Sequence, residues 1–167
     1  MQQSRIQEIT TAGAIAAVYA VLTVALAPIS FGVYQIRVAE ALTVLPFLTR
    51  SAIPGLYVGC LLANIIGGMG TLDIVFGPLI TLVAAILTRL TRHLMTSKSE
   101  KAALIAAPLP PVLLNAFGVS AYLAPLIGVG YWFSVQMVGL GQLVACYAIG
   151  LPLLLVLRKR GPWKIAG

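Results

Sequence analysis

The stretch that decides the fold is ITTAGAIAAVYAVLTVALA, Ile9 to Ala27, which holds no charged side chain. A helix crossing the hydrocarbon core of a bilayer needs about 20 predominantly apolar residues, so this run predicts a membrane span. It is longer than the roughly 7–15 residues of a signal-peptide core. Pro28 also follows Ala25-Leu26-Ala27 at the position just beyond a cleavage site. The expectation is a retained first helix.

Working outward, the same reading predicts further apolar helices at Val38 to Thr49, Ala52 to Ile66, Leu72 to Thr91, Leu104 to Leu123 and Trp132 to Leu157. That gives an all-α integral membrane protein of about six transmembrane helices, a single membrane domain over residues 1–167. Composition agrees: 60% of the 167 residues are apolar and 9% charged. Soluble domains run near half apolar and a quarter charged, so lipid is the solvent this chain suits. Six spans leave no length for a soluble catalytic domain.

The net charge of +7 is distributed as topology markers rather than as a nucleic-acid face. Arg5, Arg50, Arg89 with Arg92, Lys98 with Lys101, and Arg158-Lys159-Arg160 lie between apolar runs. Both termini are therefore expected in the cytoplasm, with Arg37 alone among the Lys and Arg residues on the outer side. Phe31, Tyr34 and Tyr131-Trp132-Phe133 would form the outer aromatic belt, and Trp163 would sit at the inner interface. Ala12, Ala16 and Ala20 form a small-residue stripe beside Gly13 and Ala17, with Gly55 and Gly59 on the third helix and Gly139 and Gly141 on the last. Such stripes let membrane helices approach closely, either within the bundle or against another subunit.

Four acids occur. Glu8 and Glu100 fall in polar segments, whereas Glu40 and Asp73 fall near the outer ends of apolar ones. A carboxylate at mid-helix costs about 2.5–3.5 kcal/mol on insertion scales, so such groups face an interior or a watery cavity. Arg37 lies three residues before Glu40 and is placed to pair with it. Asp73 opens a helix after Gly67-Gly68-Met69-Gly70, where the dipole favours an acid. Asn64, Asn115 and Gln142 reach similar depths; each alone reads as interhelical glue. Together they suggest an outward-facing polar pocket capped by the first loop and the glycine-rich loop, suited to a small, flat, hydrogen-bonding ligand. Cys60 and Cys146 lie inside apolar segments and read as packing residues. His93 is the one histidine, which leaves a metal site without ligands. Nucleophile–base pairs and phosphate-binding loops are absent, so any ATP used must be bound by another polypeptide.

These residues carry a family resemblance. Gln35-Ile-Arg37-Val-Ala-Glu40-Ala-Leu-Thr-Val-Leu-Pro46, Ala52-Ile-Pro54-Gly55 through Gly59-Cys60-Leu-Leu-Ala-Asn64, and Leu72-Asp73-Ile-Val-Phe-Gly77 set polar groups in fixed membrane contexts. Pro108-Leu-Pro-Pro111 with Asn115, and Val138-Gly-Leu-Gly141 leading to Gly150-Leu-Pro152, extend the pattern. The chain resembles an S component of an energy-coupling factor (ECF) transporter, of the QueT group assigned to queuosine precursors. The resemblance implies a six-helix subunit that captures a 7-deazaguanine base near the extracellular side. Its implied partners are a transmembrane coupling protein and two ABC ATPases, which use the ATP; no cofactor is bound by the subunit itself. It also implies that Arg37, Glu40, Asn64 and Asp73 face the ligand and that Ala12, Ala16 and Ala20 face the coupling protein. Gln142 stands where a glutamate is implied; the amide keeps one acceptor and gives up the charge. The alternatives are an S component for another vitamin-like molecule, a self-sufficient small permease, an intramembrane enzyme using Glu40 and Asp73, or a structural membrane protein.

Overall fold

The computed structural model describes residues 2–30, 37–68 and 70–160, with side chains from residue 5 onward. All regular structure among them is helical. In chain order the α-helices are α1 (Gln2–Ala25), α2 (Ala27–Ser30), α3 (Ala52–Gly67), α4 (Thr71–Met95), α5 (Glu100–Ala106), α6 (Leu109–Leu114), α7 (Ser120–Ile127), α8 (Tyr131–Leu143) and α9 (Leu151–Arg160). A 3-10 helix, Val38–Phe47, precedes α3, and two π-helical segments, Asn115–Val119 and Val144–Gly150, join α6 to α7 and α8 to α9.

Among the described residues, four stretches are long and apolar enough to cross a membrane: Arg5–Ala25, Thr71–Met95, Glu100–Ile127 and Tyr131–Arg160. The second and third predicted spans correspond to the shorter helices Val38–Phe47 and Ala52–Gly67. The predicted boundaries also shift: α1 begins before Ile9, and α4 runs past Thr91 to Met95. Leu79, Val83, Ile86, Leu87 and Leu90 lie exposed along α4, an apolar surface that water does not tolerate but acyl chains do. Trp132 and Phe133 are exposed at the start of α8, as belt aromatics are. Phe31, Tyr34 and Trp163 lie outside the described residues.

The second predicted helix is not an α-helix. Ten residues, Val38–Phe47, take the 3-10 form, which rises about 2.0 Å per residue and so reaches about 20 Å where an α-helix would reach about 15 Å. This stretched helix runs through the protein interior: Ala39, Glu40, Ala41, Thr43, Val44, Leu45, Pro46 and Phe47 are all buried. Its C-terminal carbonyls, orphaned as in any helix end, are gripped from α4. Arg89 Nη1 donates to the Pro46 and Phe47 oxygens at 3.3 Å each, and Arg92 Nη1 to those of Phe47 and Leu48 at 2.9 and 3.2 Å. Two residues read from sequence as topology markers thus also close the end of a buried helix.

Close approaches need glycine at defined places. A β-carbon at Gly55 would lie 2.7 Å from the Ala12 carbonyl oxygen, and one at Gly59 would lie 2.8 Å from that of Ala16. These contacts lock α1 to α3. Gly150, in the last π segment, would likewise meet the Ala41 oxygen at 2.9 Å, bringing the 3-10 helix against that segment. Where α3 turns into α4, Gly68 (φ 64°) and Gly70 (φ 92°) hold backbone conformations that side chains disfavour, and the Gly68 amide caps the Asn64 carbonyl.

The two π segments interrupt what the sequence reads as continuous helices. Pro152 cannot donate to the carbonyl of residue 148, and its ring crowds that oxygen. The helix widens into the π form directly before it.

Candidate functional site

The polar residues singled out by sequence converge inside the fold. Arg37, Glu40, Asn64, Asp73, Asn115 and Gln142 each expose 5% or less of their surface. They come from five separate stretches of chain and form two bonded groups linked through the start of the 3-10 helix.

The first group centres on Asp73, in the first turn of α4. Its Oδ2 accepts from Arg37 Nη2 at 2.9 Å, and its Oδ1 accepts from the Tyr122 hydroxyl at 2.6 Å. Asn64 Nδ2 donates to the Asp73 backbone carbonyl at 2.7 Å and lies 3.8 Å from Cys60 Sγ. That carbonyl is an acceptor, so it fixes the amide with nitrogen toward it. Asn64 Oδ1 is then left buried with no hydrogen-bond partner among the described residues. Gly77 makes room for the arrangement, since a β-carbon there would lie 2.6 Å from Asn64 Nδ2 and 3.4 Å from Asp73 Oδ1.

The second group centres on Glu40. Its Oε1 accepts from the Tyr19 hydroxyl on α1, and its Oε2 from Asn115 Nδ2 at 3.1 Å. Asn115 is the first residue of a π segment, a distortion that recurs at functional sites because it re-aims side chains. Thr43 Oγ1 donates to the Glu40 backbone oxygen at 2.6 Å, and Cys146 Sγ lies 3.5 Å from the same oxygen. Cys146 also lies 3.6 Å from Gln142 Oε1, which ties Gln142 into the group.

One sequence expectation is corrected here. The sequence left Arg37 either to pair with Glu40 along a shared helix face or to face a ligand; among the described residues it forms a salt bridge with Asp73, 36 positions further along. Arg37 precedes the 3-10 helix in extended conformation (φ −81°, ψ 98°), so the helical spacing rule does not apply to it. Asp73 does sit at a helix N-terminus, as expected, but is held by two side chains as well.

Sequence reasoning missed Tyr19 and Tyr122, which donate to the two carboxylates. A signal existed: a tyrosine hydroxyl buried in an apolar span needs a partner, and few are available there. Cys60 and Cys146 are buried and free, as packing residues are, and their thiols border both groups. Residues 31–36 and Met69, in the loops expected to cap the pocket, lie outside the described residues.

Ala16 and Ala20 are buried inside the chain, Ala16 against Gly59, while Ala12 and Gly13 border an open groove between α1 and α3. That groove, about 600 Å³, is also lined by Glu8, Arg50, Pro54 and Val58.

A chain of apolar helices around buried, mutually bonded acids, amides and a guanidinium has the build of a membrane protein that handles a polar solute. A family model, QueT transporter, matches residues 9–159, nearly the whole chain and every residue of both polar groups. The chain belongs to the QueT transporter family. Its family is described as one of transporters, and its several apolar helices make it a multi-pass protein of the cell membrane. A relative from Lactococcus lactis subsp. cremoris (strain MG1363), described as "Queuosine precursor transporter QueT", is 34% identical over 85 residues, a match covering 50% of each chain. The match therefore spans half the length of that relative. No solved structure matches this QueT family chain.

Proposed function

We propose that this chain is the substrate-binding S component of an ECF-type importer and captures a queuosine precursor, a 7-deazaguanine base, in a pocket near its extracellular side. Arg37, Glu40, Asn64, Asp73, Asn115 and Gln142 are its ligand-facing residues. The observation that carries this reading is the pair of buried carboxylates, Glu40 and Asp73, beside the unmatched acceptor Asn64 Oδ1. Acceptors of this kind suit the adjacent ring N–H and amino donors of a guanine-type edge. The name of the Lactococcus relative points to the same ligand class.

The topology follows from the charges. The Arg89, Arg92, Glu100 and Arg158 end is cytoplasmic by the positive-inside rule. Arg92 reaches the C-terminus of the 3-10 helix, and Arg158 pairs with Glu100, so these groups gather at one end. Arg37 and Asp73, at the N-terminal ends of the 3-10 helix and α4, lie at the other. With α3 and the 3-10 helix counted as shortened crossings, the chain is a single six-helix membrane domain with both termini inside.

The partners are a transmembrane coupling protein and two ABC ATPases, which use ATP while this chain binds no cofactor. The docking face includes the Ala12, Ala16 and Ala20 stripe of α1. Since Ala16 and Ala20 also pack internally, the exposed Gly13 is the sharper test of docking. Gly13→Leu is expected to abolish co-purification with the coupling protein while ligand affinity stays within about twofold. Retained assembly would confine the stripe to internal packing.

Equilibrium binding by the purified, detergent-solubilised chain tests the function itself. A panel of prequeuosine bases, queuine, guanine, riboflavin and thiamin is expected to give tight binding to the deazaguanines alone. Folded protein that binds none of them removes the substrate assignment. Binding of riboflavin or thiamin instead reassigns the chain to another vitamin-like solute.

A further inference from the structure

The open groove between α1 and α3 lies apart from the buried polar groups and has two chemically different ends. Gly55 packs on Ala12 and Gly59 on Ala16, so the two helices run parallel and in register. One turn back from those contacts, Glu8 on α1 falls level with Ser51 at the head of α3, beside Arg50. All three line the groove at that end. Beyond them its walls are apolar, with Ile9, Gly13, Pro54 and Val58 among the lining residues. From Glu8 to Ala16 the groove follows α1 for about 12 Å.

The polar end has unused capacity. Glu8 and Arg50 are exposed, and the salt bridges among the described residues, Arg37 with Asp73 and Arg158 with Glu100, involve neither of them. Ser51 is only 8% exposed. Its backbone amide donates to Thr49 Oγ1 at 3.3 Å and its carbonyl accepts from the Gly55 amide. Its hydroxyl has no hydrogen-bond partner among the described residues, and the residue borders the groove.

A guanidinium with a hydroxyl beside it suits a phosphate, to which arginine offers two parallel N–H donors. A carboxylate at the same level accepts only, so it favours a neighbouring cation that carries N–H groups. Charged side chains at the ends of membrane helices reach the headgroup layer, which places the apolar part of the groove in hydrocarbon. The groove therefore matches a ligand with a phosphate and an ammonium side by side and an apolar tail.

We propose that this groove holds an aminophospholipid of the phosphatidylethanolamine kind. Its phosphate lies on Arg50 and Ser51, its ammonium on Glu8, and one acyl chain runs along Gly13 and Val58. Phosphatidylglycerol supplies the phosphate without the cation, and phosphatidylcholine supplies a cation without N–H groups. The coupling protein proposed above uses the same face of α1, so lipid and partner exclude one another at Gly13.

The test offers the purified full chain in detergent equal amounts of these three lipids with identical acyl chains. Retained lipid is counted by native mass spectrometry. Phosphatidylethanolamine is expected to be retained at least about fivefold over either of the others. Arg50→Gln is expected to lower its retention at least about fivefold, and Glu8→Gln to shrink its advantage over phosphatidylglycerol below about twofold. Gly13→Leu, which fills the groove without meeting another atom, is expected to exclude all three. Glycerophosphoethanolamine, the same headgroup without acyl chains, is expected not to compete at equal concentration. Equal retention of the three lipids by the unmodified chain would overturn the proposal and leave the groove as a surface for a partner helix alone. A preference for phosphatidylglycerol would overturn it too, because Glu8 would then have no ammonium to hold. So would retention unchanged in both Arg50→Gln and Gly13→Leu, which would place the lipid elsewhere. The three-lipid comparison on the unmodified chain decides by itself should a variant not fold.

Discussion

Replacing Arg37 with methionine is expected to destabilise the protein by about 3–5 kcal/mol, because it leaves a buried carboxylate without its countercharge. Asp73 exposes almost nothing to solvent and would keep only the Tyr122 hydroxyl as a side-chain donor among the bonds described above. The loss of one partner is the costly change, since the charge that remains cannot regain water without opening the bundle. Neutralising the second partner separates this cause from lost packing. The double variant Arg37→Met, Asp73→Asn is expected to recover the larger part of the loss, because an amide can stay buried at smaller cost. Denaturant unfolding in detergent, followed by circular dichroism, measures both. A single variant that loses less than about 1 kcal/mol would mean that the pair is not what holds this end of the bundle together.

Gly59→Leu is expected to cost about 3 kcal/mol, whereas Gly13→Leu is expected to cost almost nothing, though the two glycines lie on neighbouring helices. A β-carbon at Gly59 would sit 2.8 Å from the Ala16 oxygen, 2.9 Å from Tyr19 Cβ and 3.0 Å from Ala16 Cα. None of these atoms can rotate away, so α1 and α3 must separate. A β-carbon at Gly13 meets nothing within 4 Å. The consequence at Gly59 reaches the proposed site, because Tyr19 is the α1 residue whose hydroxyl holds Glu40. Loss of stability at Gly59 should therefore come with loss of ligand affinity, read in one titration series on both variants. Two equally stable variants would show that the helices part without strain.

Much of the site was legible because lipid makes polar groups conspicuous. Glu40, Asp73, Arg37, Asn64, Asn115 and Gln142 stood out by the cost of placing them in hydrocarbon, and the fold buries every one of them together. Their pairing was not legible. A spacing of three residues pointed Arg37 at Glu40, but spacing rules describe neighbours on one helix, and Arg37 lies outside the helix that Glu40 belongs to. Tyr19 and Tyr122 escaped for a different reason: a tyrosine hydroxyl buried in an apolar span needs a partner, but tyrosine is ordinary in membrane proteins and sequence does not say which hydroxyl is buried.

Sequence by itself determined the solvent and the secondary structure class: an apolar, charge-poor chain with basic residues between long apolar runs becomes helices in a membrane. It also determined where helices stop, as at Gly67-Gly68, where the backbone turns into a left-handed conformation. Only the tertiary structure decided the helical form of residues 38–47 and the π segments at Asn115 and Val144. A window of ten residues does not separate a period of 3.0 from one of 3.6, and the choice depends on what grips the two ends. Here Asp73 holds Arg37 at one end and Arg89 and Arg92 hold the last carbonyls at the other. The length between those anchors belongs to α4, and no local pattern within the 3-10 helix encodes it.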